Sequence, residues 1–153
     1  MSTLTDSAAA AAPRKIDQLL AHYEESHRDS RNEKIHFVAI PLIMVSLLGL
    51  LSALHPWVAY GFVLASLVYY ARLSMVWLAT MAVLSALGLA LVHAMGERVL
   101  SISVAVFVLA WIAQFVGHHL EGRKPSFLED LQYLWIGPIF VLSKLFLKLG
   151  IRW

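Results

Sequence analysis

Apolar positions dominate this chain, and they are gathered into long runs instead of alternating with polar ones. The first polar-flanked stripe lies near the N-terminus. From Ile16, apolar or aromatic residues recur at Leu19, Leu20 and Tyr23, with His27 following eleven positions after Ile16, so the spacing predicts an amphipathic helix whose stripe runs through His27. His22 falls well off that stripe and is expected nearer solvent. Asp29, Ser30 and Asn32 supply a turn, with Asn32 as a plausible cap for an apolar helix that carries His36 early and runs to about Leu54. Pro41 interrupts it, taking away the hydrogen bond to the carbonyl of Phe37, so a kink is expected there. His55-Pro56 marks a turn. Further apolar runs cover Trp57 to Ala71, Ser74 to Met95 and Val99 to Gly117, separated at Arg72 and at Gly96-Glu97-Arg98.

Runs of this length suit a hydrocarbon core roughly 30 Å thick. Between Ile35 and Gly117 the only Asp, Glu, Lys or Arg residues are Arg72, Glu97 and Arg98, far too few for the surface of a soluble fold. The pattern therefore predicts an all-α, polytopic membrane helical bundle. It should hold about four transmembrane helices, an N-terminal amphipathic helix and a C-terminal interfacial or re-entrant helix. Residues 1–13, rich in alanine, read as a disordered tail, and 14–153 as a single membrane-embedded domain.

The C-terminal segment has its own character. Ser126-Phe127-Leu128-Glu129 fits a capping box, Pro138 breaks the following apolar run, and Lys144 and Lys148 lie one turn apart on a common face. A fifth span would place Arg152 outside, against the charge rule, so an interfacial or re-entrant segment is expected.

Charge sets the expected orientation. Arg14, Lys15, Arg28, Arg31 and Lys34 precede the first run, Arg72 follows the second, and Arg123 and Lys124 follow the fourth, whereas Arg98 stands alone on the other side. An N-terminus in the cytoplasm then brings His27, His36, His118 and His119 to one face, and sends His55 and His93 to the other. No cationic-then-apolar leader opens the sequence, which points to a bacterial inner membrane, with an endoplasmic-reticulum membrane as the alternative. The net charge of +2 is too small to suggest nucleic acid.

The chain has no cysteine, so disulfides, thiolate ligands and thiol nucleophiles are excluded, leaving histidine and carboxylate as candidate chemistry. Imidazole is the commonest biological metal ligand, and several of them with open positions suit iron or zinc. Gln114 lies four residues before His118 and Glu121 three after it. On a continuing helix both share its face, where Gln114 could orient an imidazole and Glu121 could ligate, orient or take a proton. Glu121 could equally pair with Arg123 or Lys124 at the surface. Each histidine taken alone is more often a hydrogen-bonded structural residue than a ligand; it is their convergence on one face that points to metal. The tryptophans Trp57, Trp77, Trp111 and Trp135 read as interface anchors or packing.

Several motifs together carry a resemblance. Tyr23-x3-His27, Asn32-x3-His36-Phe37, Ile40-Pro41, Gln114-Phe115-Val116-Gly117-His118 and Arg123-Lys124-Pro125-Ser126-Phe127 resemble the Mpo-like family, from about Arg14 to Leu147-Lys148-Leu149-Gly150-Ile151-Arg152. The resemblance implies an Fe(II)-dependent dioxygenase that acts on 2-hydroxy fatty acids and shortens the acyl chain by one carbon. It implies His27, His36 and His118 as iron ligands, with His119 beside a fourth matching position. Substrate and O2 would meet at iron on the cytoplasmic interface, and Arg28, Arg31, Arg123 and Lys124 would attract the carboxylate; the bland reading of these four is topology and anionic-lipid contact. Competing readings are a small membrane haem protein with paired axial histidines, a noncatalytic lipid-binding membrane protein, and a zinc-dependent lipid hydrolase.

Overall fold

The computed structural model describes residues 13–25, 27–122 and 133–153, and among these every regular element is helical. Helix α1 spans Lys15–Glu24, α2 Ser30–Leu54, α3 Pro56–Ala71, α4 Met75–Ala94, α5 Val99–Leu120 after a single 3-10 turn at Gly96–Arg98, and α6 Ile136–Leu149. The expected N-terminal tail lies outside the described residues apart from Pro13, as do Arg123, Lys124 and the capping box from Ser126. The protein is a polytopic helical membrane protein. Three helices are long and apolar enough to cross a bilayer: Ser30–Leu54, Met75–Ala94 and the run Gly96–Leu120. The fourth apolar helix, α3, has 16 residues and returns the chain from the end of α2 to the start of α4.

The boundaries follow local chemistry. Asp29, not Asn32, caps α2: its carboxylate accepts from the Arg31 amide at 2.8 Å, because the chain is still extended at Asp29 and Asn32 already lies inside the helix. His55 ends α2 in an extended conformation and caps α3 in the same stroke, its Nδ1 accepting from Trp57 N, with Pro56 at the first helical position where no amide partner is needed. Ser74 caps α4 through its hydroxyl. Pro41 sits within α2, which continues through it. Pro138 does not break α6 either. It occupies the first turn, where a missing amide costs nothing.

The outside of the bundle is apolar. Leu54, Leu64, Met75, Val83, Leu109 and Leu147 are each more than 60% exposed, which lipid tolerates and water would not. Packing between spans depends on close approach. α2 makes its most extensive contact with α5, and two glycines allow it: a Cβ on Gly49 would lie 1.9 Å from Ser103 Oγ, and one on Gly117 would lie 2.3 Å from Asn32 Oδ1. Small residues at such a seam are the usual means of bringing two helix backbones together in lipid, where no hydrophobic force acts between them.

α1 and α6 close one end of the bundle. This is the end where α2 and α4 begin and α3 and α5 finish. Ile16 and Tyr23 of α1, Tyr70 of α3, Trp77 and Met81 of α4, and Ile139, Phe140 and Phe146 of α6 form the main core there. Trp77 is fully buried and stacks on Phe146 at 5.0 Å. Trp135 donates its ring N–H to Ser66 Oγ at 2.8 Å, while its carbonyl accepts from Tyr70. Lys144 pairs with Glu24, and Arg14 bonds the Trp153 carbonyl, which ties α6 and the C-terminus to α1. With 14 residues, α6 is about 21 Å long and falls short of a roughly 30 Å core.

Candidate metal centre

Three histidines meet under this cap. His27 follows α1, His36 lies in the second turn of α2, and His118 lies in the last turn of α5. One ring nitrogen of each falls within 4.8 Å of the others. Ring centroids are 4.3 Å apart for His27 and His36, 5.0 Å for His36 and His118, and 5.3 Å for His27 and His118. All three rings are buried.

Backbone carbonyls aim two of the rings. His27 Nδ1 lies 2.8 Å from the carbonyl of Tyr23, and His36 Nδ1 lies 3.0 Å from that of Asn32, each four residues back. A carbonyl can only accept, so each Nδ1 must carry the proton and each Nε2 must present its lone pair. His36 Nε2 is buried without a hydrogen-bond partner among the described residues. A buried acceptor left without a donor is costly, and a cation is what would satisfy it. Neutral nitrogen donors, converging and held in the ligating tautomer, fit a metal ion. No carboxylate joins the group among the described residues.

The helix α1 stops at Glu24, so His27 is not part of its stripe as the spacing predicts. The chain turns instead, with the His27 amide bonding the Glu24 carbonyl at 3.1 Å and the His27 ring lying flat on Tyr23 at 4.2 Å. The side chain still faces inward because that stack and the Tyr23 carbonyl hold it. Glu121 is also used differently from a ligand. Its carboxylate accepts from the amides of Arg28 at 2.8 Å and Asp29 at 2.8 Å, and from Asn32 Nδ2 at 3.1 Å. One side chain at the end of α5 thereby fastens both the turn after His27 and the start of α2. Partial burial works to raise the Glu121 pKa, but the bonds from Asp29, Arg28 and Asn32 together outweigh it and hold it below the ordinary value.

Gln114 is buried one turn before His118, and its Oε1 has no hydrogen-bond partner among the described residues. His119 is exposed and stands outside the cluster, since the residue after His118 points about 100° away around the helix. His22 is exposed, as expected, and His55 and His93 lie at the opposite end of the bundle. Arg31 is engaged by Asp29 at 2.8 Å, and this bond is the chief reason that Asp29 titrates at about 2. Arg28 is exposed and meets Glu121 through its backbone. Sequence reasoning missed Asn32 and Tyr23 as parts of the centre. Their signal was the four-residue step to His36 and His27, which supplies the carbonyl to each Nδ1.

The three rings contact one another edge to face, with no slot between them for a porphyrin whose axial ligands approach from opposite sides. Fold and site together define a helical membrane protein with a buried three-histidine cluster able to hold a metal ion. Comparison with known proteins narrows the class. Residues 14–149 match the profile of the family described as 2-hydroxy-palmitic acid dioxygenase Mpo1-like, and the chain belongs to that family. It is 28% identical over 138 residues to the 2-hydroxy-palmitic acid dioxygenase MPO1 of Saccharomyces cerevisiae, covering 86% of this chain and 79% of the yeast protein. No solved structure matches.

Proposed function

We propose that this protein is an Fe(II)-dependent dioxygenase that shortens 2-hydroxy fatty acids by one carbon, with the metal held by Nε2 of His27, His36 and His118. The observation that carries the reading is the buried cluster of three imidazoles, two with Nδ1 bound to backbone carbonyls, in a chain whose family bears a dioxygenase name. Bound Fe(II) would supply open coordination positions at which O2 and the 2-hydroxy acid could meet. The residues of the chain hold the site together and keep it dry. α1 and α6 lie over the histidines, Tyr23 covers one face of His27, and Glu121 secures the turn that carries it.

Charge favours an anionic substrate. Three neutral imidazoles leave a divalent ion uncompensated in an apolar setting, and a carboxylate brought by the substrate would neutralise it. Gln114 would act as a hydrogen-bonding residue at the reacting end, and Glu121 as a positioning residue instead of a ligand. Arg28, with Arg123 and Lys124, would draw the carboxylate toward the membrane surface. The excess of basic residues on this side supports a cytoplasmic face.

The test is anaerobic Fe(II) reconstitution of detergent-purified protein, followed by metal analysis and by O2 uptake with 2-hydroxyhexadecanoic acid or hexadecanoic acid. The expected result is bound iron, O2 uptake with the 2-hydroxy acid alone, and a product one carbon shorter. Iron binding without any chain-shortened product would overturn the activity. Zinc retained in preference to iron, with ester hydrolysis, would replace it with hydrolase chemistry.

A further inference from the structure

A cavity of about 30 Å³ lies about one helical turn deeper in the bundle than the histidines, none of which lines it, and its walls include Tyr23, Ile40, Met44, Trp111, Gln114 and Pro138. Its position follows from the helices: Tyr23 stacks on His27, Ile40 is one turn beyond His36, and Gln114 is one turn before His118. Ile40, Met44 and Pro138 also line a second, larger hollow of about 350 Å³ between α2, α4 and α6. The two spaces therefore adjoin. The larger one runs from Ile40 to Leu48 along α2 and from Met81 to Leu91 along α4, and no charged residue lines it.

We propose that this groove holds the acyl tail of the 2-hydroxy acid while the 2-hydroxyl at its head reaches the small cavity beside Gln114. The proposal rests on the dioxygenase reading for the identity of the headgroup. Polarity is arranged as such a molecule needs. Gln114 presents Oε1, buried and without a partner among the described residues, as an acceptor for the 2-hydroxyl, and below it the walls become leucine, methionine and valine. Length agrees as well. The ten steps along α4 from Met81 to Leu91 rise about 15 Å, half of a roughly 30 Å hydrocarbon core and so the depth that one leaflet's acyl chains reach. Leu84, Leu87 and Leu91 on its rim are 41%, 57% and 56% exposed, which opens the groove sideways to lipid and lets a chain enter without leaving the membrane. Gly88 narrows the groove one turn before Leu91: a Cβ there would lie 3.1 Å from Leu48 Cδ1, so α2 and α4 come together at this level. A broader hollow between α2 and α5, lined by Lys34, Val38 and Leu109, shares no residue with the small cavity and so lacks this continuity.

The experiment uses full-length protein in lipid nanodiscs and 2-hydroxyhexadecanoic acid carrying a diazirine at its methyl end. After irradiation, label is expected on α2 near Leu48 and on α4 between Leu84 and Leu91, and unlabelled 2-hydroxyhexadecanoic acid should compete it away. Label on the α2 and α5 face, or spread evenly over all lipid-facing helices, overturns the proposal. Turnover gives a second readout. Ser85→Phe, at a half-buried lining position, should lower kcat/KM for 2-hydroxyhexadecanoic relative to 2-hydroxydecanoic acid by roughly 10–100-fold, with iron content unchanged. Leu64→Phe on the outer face of α3 should leave that ratio alone. An unchanged ratio in Ser85→Phe overturns the groove even if the enzyme is active. Competed label in the groove of a protein that turns over no 2-hydroxy acid would instead sustain the tail site and remove the dioxygenase reading.

Discussion

Replacing Gly117 by alanine puts a methyl group into the tightest approach between the two helices that carry His36 and His118. The new Cβ would lie 2.3 Å from Asn32 Oδ1, 3.4 Å from Asn32 Cγ and 3.5 Å from Ile35 Cγ2. Asn32 is fully buried, and its Nδ2 is bound to Glu121, so it cannot turn aside without giving up that bond. Overpacking of this kind costs about 1–3 kcal/mol. A hydrogen bond to a charged group adds about 1.5–3 kcal/mol, taken at its low end because Glu121 is partly exposed. The two terms overlap, and a combined cost of about 2–4 kcal/mol corresponds to roughly 30- to 1,000-fold in an equilibrium constant. Where the cost falls is set by the sequence: Asn32 is one turn from His36, and Gly117 is the neighbour of His118. The assay is anaerobic metal titration beside thermal unfolding, with Gly49→Ala as the comparison. Gly49 lies in the same seam, against Ser103, but about 25 Å along α2 from Asn32. Both variants should unfold at lower temperature, and Gly117→Ala alone should weaken metal binding by roughly 30-fold or more. Wild-type affinity in Gly117→Ala, or an equal loss in Gly49→Ala, would refute this account of how the site is held.

Glu121→Gln replaces an ionised acceptor with a neutral amide whose NH2 faces other donors; hydrogen exchange at the Arg28 and Asp29 amides should speed up, and unchanged protection there would show that the carboxylate is not the fastening. His27→Ala, His36→Ala and His118→Ala should each abolish stoichiometric metal binding, while His93→Ala and His119→Ala should retain it; metal analysis decides, and full occupancy in His36→Ala would remove the site. Trp77→Ala empties a fully buried position between α4 and α6 and should cost about 3–5 kcal/mol, read as a lowered Tm with α6 becoming the first segment open to proteolysis.

Much of the architecture was legible in the sequence, because hydropathy and period act locally. A run such as Met75–Ala94 is apolar whatever its neighbours are, and lipid allows it no structure but a helix. His55-Pro56 and Ser74 likewise declare their turns, since a cap needs only the residues beside it. The candidate histidines could be brought to one face by counting spans and basic residues. What the chain could not declare was which side of each helix meets which. His118 and His119 are neighbours with equal local claims, and only the docking of α5 on α2 through Gly117 buries one and exposes the other. Glu121 reads as a metal ligand, a proton acceptor or a surface partner of Arg123 and Lys124 until residues about ninety positions earlier bring their amides to it. Asn32 reads as a cap until Asp29 takes that place and frees it to bridge α2 to Glu121. Caps and hydropathy depend on residues a few positions apart, and the sequence determines them by itself. The convergence of the three histidines depends on the rotation and close approach of helices distant in the chain, and only their packing decides it.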